Sequence, residues 1–227
     1  MIRALKLITL GITTSLKELM TYLQNLYHYR HCPHYLAIEY ALFREYLFNN
    51  PYRLCKRYFK QLKVTEQPYG ETPLNQIEAV FNAIPLQADD CFIDAGAGRG
   101  KLALWVAARY GCRVKGIEIN PAFIHFGYKI VDRCQLAHQV SFALCDFSTA
   151  NLSEATVIYL YGIAFDDDTM AQIAFQLSQL SPSTKIITVS DPLNEFCETA
   201  QFETTATFTC TFTWGKTTLY MQTPLPK

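Results

Sequence analysis

Three carboxylates and a run of alternate glycines are the residues of this chain best placed to do chemistry. In Phe92-Ile93-Asp94-Ala95-Gly96-Ala97-Gly98-Arg99-Gly100 an acid stands two residues before three glycines, and the helix-forming run KLALWVAARY follows. Glycines in such a loop let the backbone turn sharply and approach a ligand beside the N-terminal end of a helix. Glu118 lies 24 residues after Asp94, at the end of the next β-rich run. A carboxylate there can accept hydrogen bonds from the 2′- and 3′-hydroxyls of a ribose. Asp146 ends a third run and is followed by Phe147, a pair suited to hold an adenine through its amino group and its apolar ring. All three acids therefore fall at the carboxyl ends of successive strands, where open α/β sheets bind ligands.

Two cofactor classes compete for such a site. Dinucleotide-binding domains use G-x-G-x-x-G, whose last spacing seats a pyrophosphate on the helix N-terminus. Here the spacing is G-x-G-x-G, with Asp94 just before it. That carboxylate would repel a pyrophosphate, and it suits a cofactor carrying an ammonium and a sulfonium, as S-adenosylmethionine does.

These residues need a scaffold, and the pattern of the chain supplies one. Short β-rich runs (CFIDA at 91–95, RVKGIEI at 113–119, VSFALCD at 140–146, TVIYLYG at 156–162, KIITVSD at 185–191) alternate with helical ones. Such alternation predicts a doubly wound α/β fold, a mostly parallel sheet with helices on both faces. The tail FETTATFTCTFTW, Gly-Lys, TTLYMQT alternates with period two and predicts an antiparallel hairpin on the sheet edge. Upstream, Thr72-Pro73 reads as an N-cap and first helical position, launching LNQIEAVFNAI after the turn signal Pro68-Tyr69-Gly70. From Ser15 to Leu62, Leu, Tyr and Phe recur at helical spacing and are broken by Pro33 and Pro51, which predicts two or three helices. The expected division is a helical region at 1–66 and a cofactor domain at 67–227.

The glycine loop and its acids resemble the nucleotide-binding motifs of class I S-adenosylmethionine-dependent methyltransferases over residues 69 to 223, and the C-terminal hairpin is typical of that fold. Within the class, Tyr69-Gly70-Glu71-Thr72 resembles the cofactor loop of the Dot-one type (disruptor of telomeric silencing) protein lysine methyltransferases. The likeness continues through Asp146-Phe147, Val157-Ile158, Ala164-Phe165 and the Trp-containing hairpin. The resemblance implies methyl transfer from S-adenosylmethionine to a protein lysine. It implies a cofactor site of Tyr69, Glu71, Thr72, Asp94, Gly96, Gly98, Gly100, Glu118, Asp146 and Phe147. Tyr161, Phe165 and Tyr220 become the candidate catalytic residues, with Trp214 a further aromatic for the acceptor channel. The chain departs from the family at Tyr161-Gly162, where the family carries paired asparagines, so small-molecule and other non-lysine acceptors, or a non-catalytic nucleotide- or partner-binding domain, stay open. Methylation of base amino groups goes with Asn or Asp followed by Pro-Pro and an aromatic. Leu160-Tyr161-Gly162-Ile163 lacks that signature, so nucleic acid is not expected as a base substrate.

Charge and composition limit the remaining readings. The 227 residues carry 20 basic and 20 acidic side chains, a formal balance with no global field for nucleic acid. Residues 1–65 nevertheless hold ten Lys and Arg against three acids, a net of +7 that the rest offsets. The stretch from Tyr52 to Lys63 mixes basic and aromatic residues; it fits an acidic partner, phospholipid head groups or RNA, and equally the outward face of a packed helix. Eight cysteines stand singly with no CxxC pair, as expected of reduced thiols and a cytoplasmic protein. MIRALKLITLGITTSLKELM reads as an amphipathic helix rather than a targeting signal. No metal is expected: Pro33 interrupts the His28, His31, His34 series, and Asp166-Asp167-Asp168 reads as a helix cap.

Overall fold

The computed structural model describes residues 16–63 and 69–226, so the readings of residues 1–15, of Pro68 and of the boundary at 66 and 67 fall outside the described residues. Three helices open the chain: α1 (16–28), α2 (Pro33–Tyr46) and α3 (Pro51–Leu62). Pro33 and Pro51 each occupy a first helical turn, where the missing N–H has no partner to lose. Asn50 caps α3 by accepting from Arg53 N at 3.1 Å. Helix α4 (Leu74–Ala83) then leads into the alternating part: β1 (Cys91–Ala95), α5 (Lys101–Tyr110), β2 (Arg113–Glu118), α6 (Pro121–Arg133), β3 (Val140–Leu144), β4 (Val157–Leu160), α7 (Asp167–Ser178) and β5 (Lys185–Val189). Strands β6 (Phe202–Phe212) and β7 (Gly215–Pro224) close the chain.

The seven strands form one sheet in the order β3-β2-β1-β4-β5-β7-β6. The first five run parallel; β7 pairs antiparallel with β5, and β6 lies on the edge beyond it. This is the expected doubly wound sheet with its edge hairpin. Strand β1 is buried at all five positions, as a central parallel strand covered on both faces must be. Asp166 caps α7 by accepting from Thr169 N at 2.8 Å, so the acidic run there does serve a helix start. The expected cap at Thr72 is a correction. Pro73 occupies the N-cap position of α4, and the Thr72 hydroxyl lies 2.6 Å from Tyr159 Oη instead, a long-range bond that local helix rules do not anticipate.

Helices α1, α2 and α3 share one apolar core with the sheet. Tyr29, Tyr35, Ile38, Leu42 and Phe59 are buried in the same cluster as Phe81 of α4, Trp105 of α5 and Phe123 of α6. Ion pairs fasten the layers: Lys101 Nζ to Glu39 Oε1 at 2.5 Å joins α5 to α2, and Arg133 Nη2 to Glu45 Oε1 at 2.8 Å joins α6 to α2.

The glycine loop is set in place by one aromatic ring. Phe142 of β3 faces its register partner Gly116 of β2 and also reaches Gly100 and Gly127. A Cβ at Gly100 or Gly116 would lie 2.4 or 2.5 Å from that ring, so only glycine admits it. Gly100 additionally has φ +74°, a conformation other residues adopt at a cost. A Gly116→Ala substitution is expected to cost about 2 kcal/mol by overpacking. Adding Phe142→Leu should recover part of that loss, a non-additivity that chemical denaturation of the single and double variants measures.

Candidate functional site

At the carboxyl ends of β1, β2 and β3 the structure encloses a cavity of about 310 Å³, within the range of small-molecule sites. Tyr69, Gly70, Gly96, Gly98, Glu118 and Asp146 line its polar side. Phe123, Phe147, Tyr161 and Phe165 supply apolar wall, and α3 covers it with Cys55, Phe59 and Leu62. A smaller adjoining pocket of about 50 Å³ is lined by Glu71, Thr72, Asp94, Arg99, Lys101 and Tyr159, and shares Tyr69, Gly70, Gly96, Gly98 and Tyr161 with the first.

The three acids sit in three different environments. Asp94 is 4% exposed, and its Oδ2 has no hydrogen-bond partner. Burial pushes its carboxyl up to about 7, countered by an amide donor at Ala103 and reinforced by the charge of Glu118. Glu118 is also buried, but its oxygens accept from Asn120 N and Gly98 N, each at 2.8 Å. Desolvation raises its pKa and those amide donors oppose the rise. The same bonds tie the end of β2 to the glycine loop. Asp146 is exposed, and its Oδ1 accepts from Ser148 N and Oγ at 2.9 and 2.8 Å, opening a 3-10 turn that seats the buried Phe147 at the cavity edge.

The 69–73 loop closes over the glycine loop. Glu71 accepts from Arg99 Nε and Nη2 at 2.6 and 2.7 Å, a two-pronged ion pair, and from Tyr69 Oη at 2.7 Å. Burial alone would raise the Glu71 carboxyl, yet the Arg99 guanidinium prevails and holds it at about 2. Tyr69 is wedged between Phe123 of α6 and Tyr52 of α3, with ring centroids 5.5 and 5.2 Å away. On the far wall, Trp214 at the tip of the β6–β7 hairpin donates from Nε1 to Tyr161 Oη at 2.8 Å. Phe212 completes this group, 5.8 Å from Tyr161 and 5.6 Å from Trp214.

The structure thus brings together Tyr69, Glu71, Thr72, Asp94, Gly96, Gly98, Glu118, Asp146, Phe147, Tyr161 and Phe165, with Trp214 behind Tyr161. Three expected residues, Gly100, Tyr220 and Trp214, do not line either cavity; Trp214 reaches them only through Tyr161. Gly100 starts α5 against Phe142 and serves the loop's geometry. Tyr220 pairs with Thr188 on β5, on the face opposite to that of Leu219, Val189 and Tyr161, because side chains alternate along a strand. Arg99, Tyr159, Phe123 and the α3 residues were not anticipated. Only Arg99 carried a signal, a cation inside one binding loop matched by an acid in the other.

The residues present fit S-adenosylmethionine: a buried carboxylate oxygen without a partner suits a cationic ligand, and Glu118 and Asp146-Phe147 suit a ribose and an adenine. Fold and site together define a class I methyltransferase. A family model, Histone methylation protein DOT1, matches residues 55–213, and the chain belongs to that family. It is 30% identical over 142 residues to the "Histone-lysine N-methyltransferase, H3 lysine-79 specific" of Caenorhabditis elegans, a match that covers 56% of this chain and spans 15% of that relative. Among solved structures, an RNA methyltransferase from Salinibacter ruber in complex with S-adenosyl-L-homocysteine is 25% identical at a TM-score of 0.57, covering 69% of this chain and 97% of the other. A geranyl diphosphate C-methyltransferase from Streptomyces coelicolor A3(2) shares the fold at 15% identity and a TM-score of 0.55, over 67% of this chain and 80% of its own.

Two outcomes follow from this geometry. Asp94→Ala and Glu118→Ala should each abolish calorimetric binding of S-adenosylmethionine while thermal unfolding stays cooperative; full affinity in both variants would remove the site from this cleft. Below about pH 7 the Asp94 carboxyl holds a proton and presents no charge to a cation. Affinity for S-adenosylmethionine should therefore rise, by up to about tenfold per pH unit, as pH climbs from about 5.5 to 7, with proton release on binding. Asp94→Asn should flatten that slope.

Proposed function

We propose that this chain transfers a methyl group from S-adenosylmethionine to the ε-amino group of a lysine in a protein substrate. The observation that carries the reading is the family match taken together with the 69–72 loop, clamped by Glu71 and Arg99 over the glycine loop at the mouth of the cavity. Membership of the histone methylation family and the likeness to a histone lysine methyltransferase support a protein acceptor.

When bound, the cofactor supplies an electrophilic methyl on sulfur. The chain's own residues do the rest. Asp94, Glu118 and Asp146 hold and orient the charged and hydroxyl groups of the bound molecule, and the 69–72 loop restricts solvent on one side. Tyr161 and Phe165 form an aromatic wall beside that position, with Trp214 bonded behind Tyr161. An amine entering against such a wall is desolvated, which lowers its pKa and favours the neutral nucleophile. Catalysis then rests on position and water exclusion, without a covalent enzyme intermediate.

The test is transfer of a labelled methyl from S-adenosylmethionine to a cell lysate, followed by separation of protein from RNA and mass spectrometry of the labelled species. Label on a lysine side chain supports the proposal. Label confined to RNA would favour the chemistry of the Salinibacter relative, and label in small molecules alone would likewise overturn the lysine reading. Trp214→Ala, which unseats Tyr161, should lower kcat at least about tenfold and, because Tyr161 also packs on Gly70, weaken cofactor binding as well.

A further inference from the structure

The first helices carry an outward apolar surface that the cofactor site does not use. On α2, Leu36, Tyr40, Phe43 and Leu47 are exposed at i, i+4, i+7 and i+11, so they form one stripe along the helix. Phe48 follows in the turn before α3 and is 91% exposed, the most exposed of the large apolar side chains among the described residues. On α1, Met20, Leu23 and Tyr27 repeat the pattern. Stripes of this kind are inverted relative to a surface helix of an isolated globular domain, whose apolar face turns to the core.

The exposed charges without an ion pair that follow the stripe along the chain are of one sign. Arg44 and Arg53 flank the Phe48 turn, and Arg57 and Lys60 continue from Arg53 along the exposed face of α3 at i+4 and i+7. None of these four makes an ion pair among the described residues. The nearby acids are engaged elsewhere: Glu45 pairs with Arg133, Glu39 with Lys101, and Glu18 accepts from Tyr52. No helix among the described residues is long and apolar enough to cross a membrane.

We propose that α1, α2 and the exposed basic face of α3 dock on the surface of an anionic phospholipid bilayer, with Phe43, Leu47 and Phe48 entering the interface and Arg44, Arg53, Arg57 and Lys60 meeting lipid phosphates. Aromatic and leucine side chains with basic residues at their margin are the composition such a surface selects. A two-fold contact with a second copy would instead set these unpaired cations against one another. The docking is independent of the methyl-transfer reading, since it rests on residues outside both cavities.

The full chain should sediment with vesicles of phosphatidylcholine containing about a third phosphatidylserine, and much less with phosphatidylcholine alone. Phe43→Ser/Phe48→Ser should weaken that partitioning at least about tenfold, with the melting temperature kept within a few degrees. Phe48→Trp should retain binding and show a blue-shifted, enhanced emission on the anionic vesicles. The inference fails if the chain stays in the supernatant, or if light scattering finds a dimer that Phe43→Ser/Phe48→Ser dissociates. It fails equally if binding survives in the serine variant and disappears with salt alone, or if single-stranded RNA displaces the vesicles.

Discussion

The ion pair between Glu71 and Arg99 is the contact from which the rest of the site takes its geometry. Both groups sit half-buried at the wall of a cleft, and they satisfy each other through two N–H···O bonds at 2.6 and 2.7 Å. Removing either partner leaves a partly desolvated charge unpaired, which costs more than losing a fully exposed pair. The pair also gathers the surrounding elements. Glu71 takes the Tyr69 hydroxyl, Tyr69 is held by α3 and α6, and the Arg99 guanidinium lies 5.2 Å from the ring centre of Tyr46 on α2. This contact adds to the apolar core and to the Lys101–Glu39 and Arg133–Glu45 pairs in holding the N-terminal helices against the glycine loop, where α3 serves as a cavity wall.

Around that clamp, three carboxylates with similar intrinsic acidity are made to differ. Glu118 is buried but supplied with backbone donors, Asp146 is exposed and engaged in its own turn, and Asp94 is buried with one oxygen unsatisfied. Only the last stores an unmet electrostatic demand. A carboxylate oxygen left in that condition at the wall of a pocket suits a ligand that completes it. The burial that lifts the Asp94 pKa and the preference for a cationic ligand are thus the same fact seen without and with the ligand.

Much of this was legible in the chain because local rules decided it. Prolines set the starts of α2 and α3, the acids and glycines marked strand ends, and the alternation of runs predicted the sheet and its hairpin. The misses share a cause. Thr72 satisfies its hydroxyl on Tyr159, 87 residues away, where helix-capping rules see only its neighbours. Tyr220 belongs to a strand whose period-two pattern was plain, but period alone does not say which parity faces the cleft; the register with Thr188 does. Cys55, Phe59 and Leu62 became cavity wall through tertiary docking of α3, for which the sequence offered only an amphipathic pattern.

Tyr161, where the resemblance implied paired asparagines, is held by contacts from two other elements. Tyr161 directly follows the fourth strand, takes a hydrogen bond from Trp214 and sits against Gly70, where a Cβ would lie 3.0 Å from the phenol oxygen. One side chain thereby touches the hairpin tip and the cofactor loop, and it lines both cavities. The anchored phenol makes the hairpin tip and the 69–72 loop parts of one packed unit. Any shift of the hairpin must then be felt at Gly70, so the two sides of the cleft are mechanically coupled.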